Sequence, residues 1–184
     1  GGEDFDWLLN HEFGHEWWGN KVTNSDWAHM WIQEGICSYG DALYYRDMEG
    51  EASYQARMRE IARSQNSNIP VVRGEEVDSD SAYQGPIYGK GAFFLHTLRY
   101  VIGDAVFFPT LKKLATDPQY TYDQVVQTSD VEKLFSNASG KNLKPLFDFY
   151  LYTAQKLEIR VKQTADDKYL VQLINFDSPL PIDI

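Results

Sequence analysis

His11-Glu12-Phe13-Gly14-His15-Glu16-Trp17-Trp18-Gly19-Asn20 is the stretch on which the reading of this 184-residue chain turns. Residues four apart on a helix share a face, so His11 and His15 can offer two imidazole nitrogens to one divalent ion while Glu12 stands beside them. Metal-assisted hydrolysis needs that spacing. A catalytic zinc keeps three protein ligands and one place for water, whose pKa it lowers to about 7. Glu12, not itself a ligand, is placed to take that water's proton.

The pattern H-E-x-x-H is short enough to arise on a helix by chance, so a third ligand matters. Glu34 supplies one: it opens a second helical stretch, WIQEGICSYGDALYY, with residues 16–33 between it and His15. A structural zinc more usually takes four Cys or His ligands, and this chain has one Cys and four His. Trp7, Leu8, Leu9, Phe13, Trp17 and Trp18 surround the two histidines and predict a buried helix rather than a pair of solvated side chains.

Taken together, HEFGHEWWGN and WIQEG resemble the gluzincin aminopeptidases of the aminopeptidase N and leukotriene hydrolase type. The likeness continues into IYGKGAFFLHTLRYVIGD, where that family's Tyr-x-Lys-Gly signature stands as Tyr88-Gly89-Lys90-Gly91, and it covers about residues 5 to 153. The resemblance implies a mainly α fold: the helical half of a thermolysin-like catalytic domain over residues 1–153, then a β segment at 154–184 that starts a following β-domain. It also implies one zinc ion per chain, a peptide substrate shortened from its N-terminus, and Tyr88 as the hydroxyl that stabilises the oxyanion. Tyr83, five residues earlier, is a second candidate for the same pocket, and the residues alone do not separate the two tyrosines. Gln33 departs from the family's usual Asn before the ligand Glu, without touching the metal chemistry. The family's Gly-x-Met-Glu-Asn segment, which recognises the substrate's free amino group, is absent here. The resemblance therefore leads us to expect a partner lobe of the same enzyme beyond these residues, self-association through apolar faces left bare, and weak peptide cleavage by this piece alone.

With 43% hydrophobic and 15% aromatic residues, the chain can build one ordinary core and the start of another. No apolar run approaches the roughly 20 residues of a membrane span, and no signal peptide opens the sequence; neither fact fixes a compartment. A net charge of −10 argues against a nucleic-acid partner, which favours a basic face. The single Cys37 excludes an internal disulfide and reads as a small buried residue one turn after Glu34.

Along the chain, Asp4 or Asp6 is placed to cap the first helix and Gly19-Asn20 to end it. In the second helix Glu34, Asp41 and Met48 recur every seven residues and share a face before Gly50. Asp41 can there accept the second ring N–H of His11 or His15, fixing the tautomer as metal-bound histidines require; the alternative is an ordinary exposed acid. Tyr54, Met58, Ile61 and Ala62 mark an amphipathic third helix. The Ser-, Asn-, Asp- and Gly-rich residues after it predict a long connection passing the active site. An apolar helix from Tyr88 ends at Gly103 with His96 packed inside it. Pro109 predicts a late start or a kink in the next helix, Ser129 with Glu132 a capping box, and Asn142 a cap before Pro145. Beyond residue 153 the period drops to two, Leu157, Ile159 and Val161 alternating with charged residues, and YLVQLINF reads as the antiparallel partner.

The motifs lead us to expect a zinc metallopeptidase with His11, His15 and Glu34 as ligands and Glu12 as base, and the resemblance implies the aminopeptidase class. A thermolysin-like endopeptidase shares the metal geometry and differs only in its cleft. A non-catalytic zinc-binding fragment is the reading outside enzymes.

Overall fold

The computed structural model describes residues 7–64, 68–83 and 86–177; the expected caps at Asp4 and Asp6 lie outside them. In chain order the elements are α1 Trp7–Gly14, β1 Thr23–Asn24, a 3-10 turn Trp27–His29, α2 Trp31–Glu49, α3 Glu51–Ser64, α4 Ser79–Tyr83, α5 Gly89–Ile102, α6 Asp104–Thr116, β2 Val125–Val126, α7 Thr128–Ser139, α8 Lys144–Tyr152, β3 Ile159–Ala165 and β4 Lys168–Leu173. The fold is mainly α, as expected.

Helix α2 is the axis of the molecule. Its buried residues, among them Trp31, Ile32, Ile36, Tyr39 and Ala42, lie on several faces, because α1, α3 and α5 all pack against it. Its start is held from far along the chain. Thr128 Oγ1, itself buried, accepts the Trp31 indole N–H at 2.8 Å and lies 2.9 Å from His29 Nδ1. At the other end Gly50 takes φ 95°, a conformation only glycine adopts readily. The contact with α5 is closer than side chains allow: a Cβ on Gly35 would stand 2.9 Å from the Ile87 carbonyl oxygen and 3.0 Å from Gly91 Cα. Behind this crossing, Trp31, Phe94 and Phe147 form an edge-to-face aromatic core with ring centroids 4.7 to 6.5 Å apart. Each such buried ring contributes about 1.5–3 kcal/mol.

Three local expectations need correction. Helix α6 starts at Asp104 in spite of Pro109, because Pro109 and Ala105, whose carbonyl loses its partner, both face solvent and water can satisfy it. The capping box of α7 is built by Gln127 and Asp130 instead of Ser129 and Glu132, the helix beginning earlier at Thr128. Helix α1 is neither long nor buried: it closes at Gly14, and Trp7, Leu8, Leu9 and Phe13 are all at least half exposed. Apolar composition showed that this face can be covered, not that the described residues cover it.

The remaining readings match in outline. Tyr54, Met58 and Ile61 are buried on α3, and His96 Nδ1 lies 2.6 Å from the Tyr54 hydroxyl; Asn142 accepts the Lys144 N–H, but the residue at the cap position of α8 is Leu143, one later than expected. β1 and β2 pair in parallel, Thr23 with Val125 and Asn24 with Val126, a join no local pattern announced. β3 and β4 form the antiparallel hairpin. Its apolar face, Ile159 and Val161 included, is exposed, while Leu173 packs against the helical core and Phe176, just beyond β4, packs on Phe149.

Candidate metal centre

The site is assembled where α1 crosses the first turns of α2. Gly14 makes the approach possible: a Cβ there would lie 3.1 Å from Cys37 Sγ, which gives the buried Cys37 its place as packing partner. His11 is the only buried residue of α1. His15 follows just after the helix closes, in a tightened turn whose N–H reaches the Glu12 carbonyl at 3.2 Å, and so stays beside His11, ring centroids 5.0 Å apart and edge-on.

His11 Nε2 lies 3.2 Å and His15 Nε2 3.4 Å from the same oxygen, Glu34 Oε2. Ligand atoms around a tetrahedral zinc at ~2.0–2.1 Å stand about 3.3 Å from one another. The donor set therefore fits a single such ion in chemistry and in spacing. Both rings are also oriented for it. Asp41 Oδ2 accepts from His11 Nδ1 at 2.9 Å, and the Trp18 carbonyl accepts from His15 Nδ1 at 2.9 Å. With each Nδ1–H spent, each Nε2 turns into the shared space. The hydrogen bonds it gives to Asp41 and then to Glu34 raise the His11 pKa to about 9, although burial pulls it down. Surroundings that hold a proton on this ring also favour a divalent cation beside it.

Asp41 is itself held. Its second oxygen accepts from Asn10 Nδ2 at 2.7 Å, so the carboxylate is clamped between Asn10 and His11. Sequence reading missed Asn10, although an amide immediately before the first histidine was a usable signal. Met48, two turns beyond Asp41, lies out in solvent.

Around the donor trio opens a cleft of about 920 Å³, lined by Glu12, Asp41, Tyr83, Tyr88 and Arg57 among others. Glu12 is exposed to it. Tyr88 stands just before α5, where the Gly35–Gly91 crossing brings it to α2; its ring is 6.1 Å from that of His11. Burial, and after it the charge of Glu34, pushes the Tyr88 hydroxyl up to about 12. Tyr83 closes α4, its ring tilted against that of Trp27 at 5.9 Å, and its pKa is raised by the same causes. The long connection thus reaches the cleft as expected, through a short helix that its composition did not signal. Both tyrosines are in the pocket, with Tyr88 on the side of the histidines.

The Peptidase family M1 domain matches residues 3–150. Leucine aminopeptidase 2 of Eremothecium gossypii is 32% identical over 116 residues, 57% of this chain and 19% of that protein. Aminopeptidase N of Caulobacter vibrioides is 27% identical over 151 residues, 78% of this chain and 17% of that protein. An M1 zinc metallopeptidase of Deinococcus radiodurans superposes with a TM-score of 0.68 at 25% identity, covering 83% of this chain and 34% of the other. The chain spans about a fifth of the length of the curated relatives it matches.

Proposed function

Since the chain belongs to peptidase family M1, we propose that it carries the zinc centre of an aminopeptidase, with His11, His15 and Glu34 as ligands to one ion. The observation that supports this most is the convergence of His11 Nε2 and His15 Nε2 on Glu34 Oε2 at 3.2 and 3.4 Å. Zinc held there would polarise a scissile carbonyl and acidify a water. Glu12, exposed in the cleft and bound to nothing in the donor trio, accepts the proton of that water and returns it to the leaving amine. The Tyr88 hydroxyl, which keeps its proton through the neutral range, donates a hydrogen bond to the carbonyl oxygen as charge develops on it. Tyr83 shapes the same wall. Asp41 keeps the His11 ring in its tautomer.

Residues 1–153 form the catalytic subdomain in this reading, and 154–184 start a β segment; the exposed hairpin supports that division. Helix α1 presents an apolar face that invites a covering surface, the rest of the cleft or a second copy. Relatives named as aminopeptidases favour exopeptidase over thermolysin-like endopeptidase action.

The test pairs metal with substrate. Zinc titration is expected to give one site per chain, lost in His15→Ala and retained in Glu12→Gln. Release of the first residue from a peptide should stop in Glu12→Gln and stop when the substrate's amino group is acetylated. Equal cleavage of free and acetylated peptides would replace the aminopeptidase reading by the endopeptidase one, while zinc binding without any cleavage would leave a zinc-binding fragment.

A further inference from the structure

Outside the metal cleft and sharing no lining residue with it, α3, α5, α8 and the residues leading to the hairpin enclose a second pocket of about 330 Å³. Its walls are apolar and largely aromatic: Phe93, Phe149 and Tyr150, closed by Ala62 and Leu157. Into it comes Lys90, the lysine of the Tyr-x-Lys-Gly stretch, which the chemistry proposed above does not use.

Lys90 is only partly exposed. Among the described residues its Nζ makes one hydrogen bond, to the Thr153 carbonyl at 2.7 Å, and an ammonium has three N–H groups to place. Among the described residues no carboxylate stands within ion-pair distance of it. The groups around it do nothing to offset its burial, which lowers its pKa. The second charge at the pocket is Lys156, so a chain of net charge −10 has here a cavity with two cations and no acid. Buried charges are ordinarily paired. The carbonyl at the end of α8 meets part of that need, since a cation suits a helix C-terminus, but it brings no full negative charge.

We propose that this pocket binds an aromatic monocarboxylate, the ring seated among Phe93, Phe149 and Tyr150 and the carboxylate paired with Lys90. A pocket of this volume lies at the small end of the range for organic ligands, and apolar walls with one convergent charged group are the composition such sites have. A free amino acid, with its ammonium beside two lysines, is a poor fit. The site is therefore distinct in chemistry from the metal cleft and from the amino acids released there.

The probe is 1-naphthoate, followed by its fluorescence on titration with the purified chain, with and without zinc. One saturable site is expected, indifferent to chelator, with 1-naphthalenemethanol binding at least about tenfold more weakly because it lacks the charge-assisted contact. Lys90→Met should weaken naphthoate by about the same factor. Since that change also removes the bond to Thr153, Ala62→Leu serves as the second variant: it fills the pocket, leaves Lys90 in place and should abolish binding in protein whose melting is unchanged. Binding that needs zinc places the ligand in the metal cleft and overturns the proposal. Equal affinity for the alcohol, or full affinity in Ala62→Leu, overturns it too, as does the absence of saturable binding.

Discussion

Helices α1 and α2 both supply atoms to the candidate metal centre, yet they are held in opposite ways. Glu34 and Asp41 sit on a helix with neighbours on several sides and a glycine crossing that admits no extra atom. His11 and His15 sit on a short segment with one buried residue, a bare apolar face and an irregular end. The links from α1 to α2 at the site are the Gly14–Cys37 contact, the bonds of Asn10 and His11 to Asp41, and the approach of both imidazoles to Glu34. One wall of the site is built by packing, and the other is positioned largely by polar contacts to the first. A metal there would act as a bond between the two.

The strongest way to break this contrast is to take that bond away. Stripping zinc with a chelator should raise amide hydrogen exchange in α1 by about a hundredfold or more while α2 and α5 keep their protection, because local opening is governed by the contacts of each element. Equal loosening of both helices would show that the two walls do not differ.

Next comes the crossing itself. Gly35→Ala gains about 1 kcal/mol of helix propensity but forces a methyl into backbone at 2.9–3.0 Å, where nothing flexible can yield. Overpacking wins, with a net loss of about 2 kcal/mol in urea denaturation. Gly40, in the same helix with open space around its missing Cβ, should respond in the opposite direction, Gly40→Ala gaining up to about 1 kcal/mol.

Smaller effects sharpen the polar side of the comparison. Asp41→Ala should weaken zinc by about 10 to 100 fold with the fold kept, read by competition with a chelating dye. Asn10→Ala removes only the outer clamp on Asp41 and is expected to cost about threefold, within the value of one net hydrogen bond. Unchanged affinity in both variants would show that the buried Asp41 does not orient His11 for the metal. The least effect belongs to the bare face of α1: Phe13→Ser should shift stability by less than about 0.5 kcal/mol.

How much of this was legible follows the same division. The pairing of His11 with His15, and the place of Asp41 seven residues after Glu34, could be read because helix periodicity fixes which side chains share a face; that Glu34 meets the histidines from a second helix was suggested by the pair of motifs, not by periodicity. Periodicity does not say what covers that face. Trp7, Leu8, Leu9 and Phe13 therefore read as buried and are not. Gly35, Gly91 and Gly14 looked like weak points in helices, since the value of a missing Cβ depends on a partner distant in sequence. The early start of α6 was hidden for a related reason: whether Pro109 disrupts a helix depends on whether the carbonyl it orphans can reach water.

The bond from Trp31 to Thr128 and the parallel strip joining Thr23–Asn24 to Val125–Val126 also set an order of events. Both close loops of about a hundred residues, and long closures are slow because their entropy is spent before any contact rewards it. During synthesis α2 can pack on α5 first, through Gly35 against Gly91 and Trp31 against Phe94, but the bond that holds the Trp31 indole must wait until Thr128 has left the ribosome. The proposed ligands have all emerged well before that, so the last contacts to lock the start of α2 come from residues far along the chain from the trio they steady.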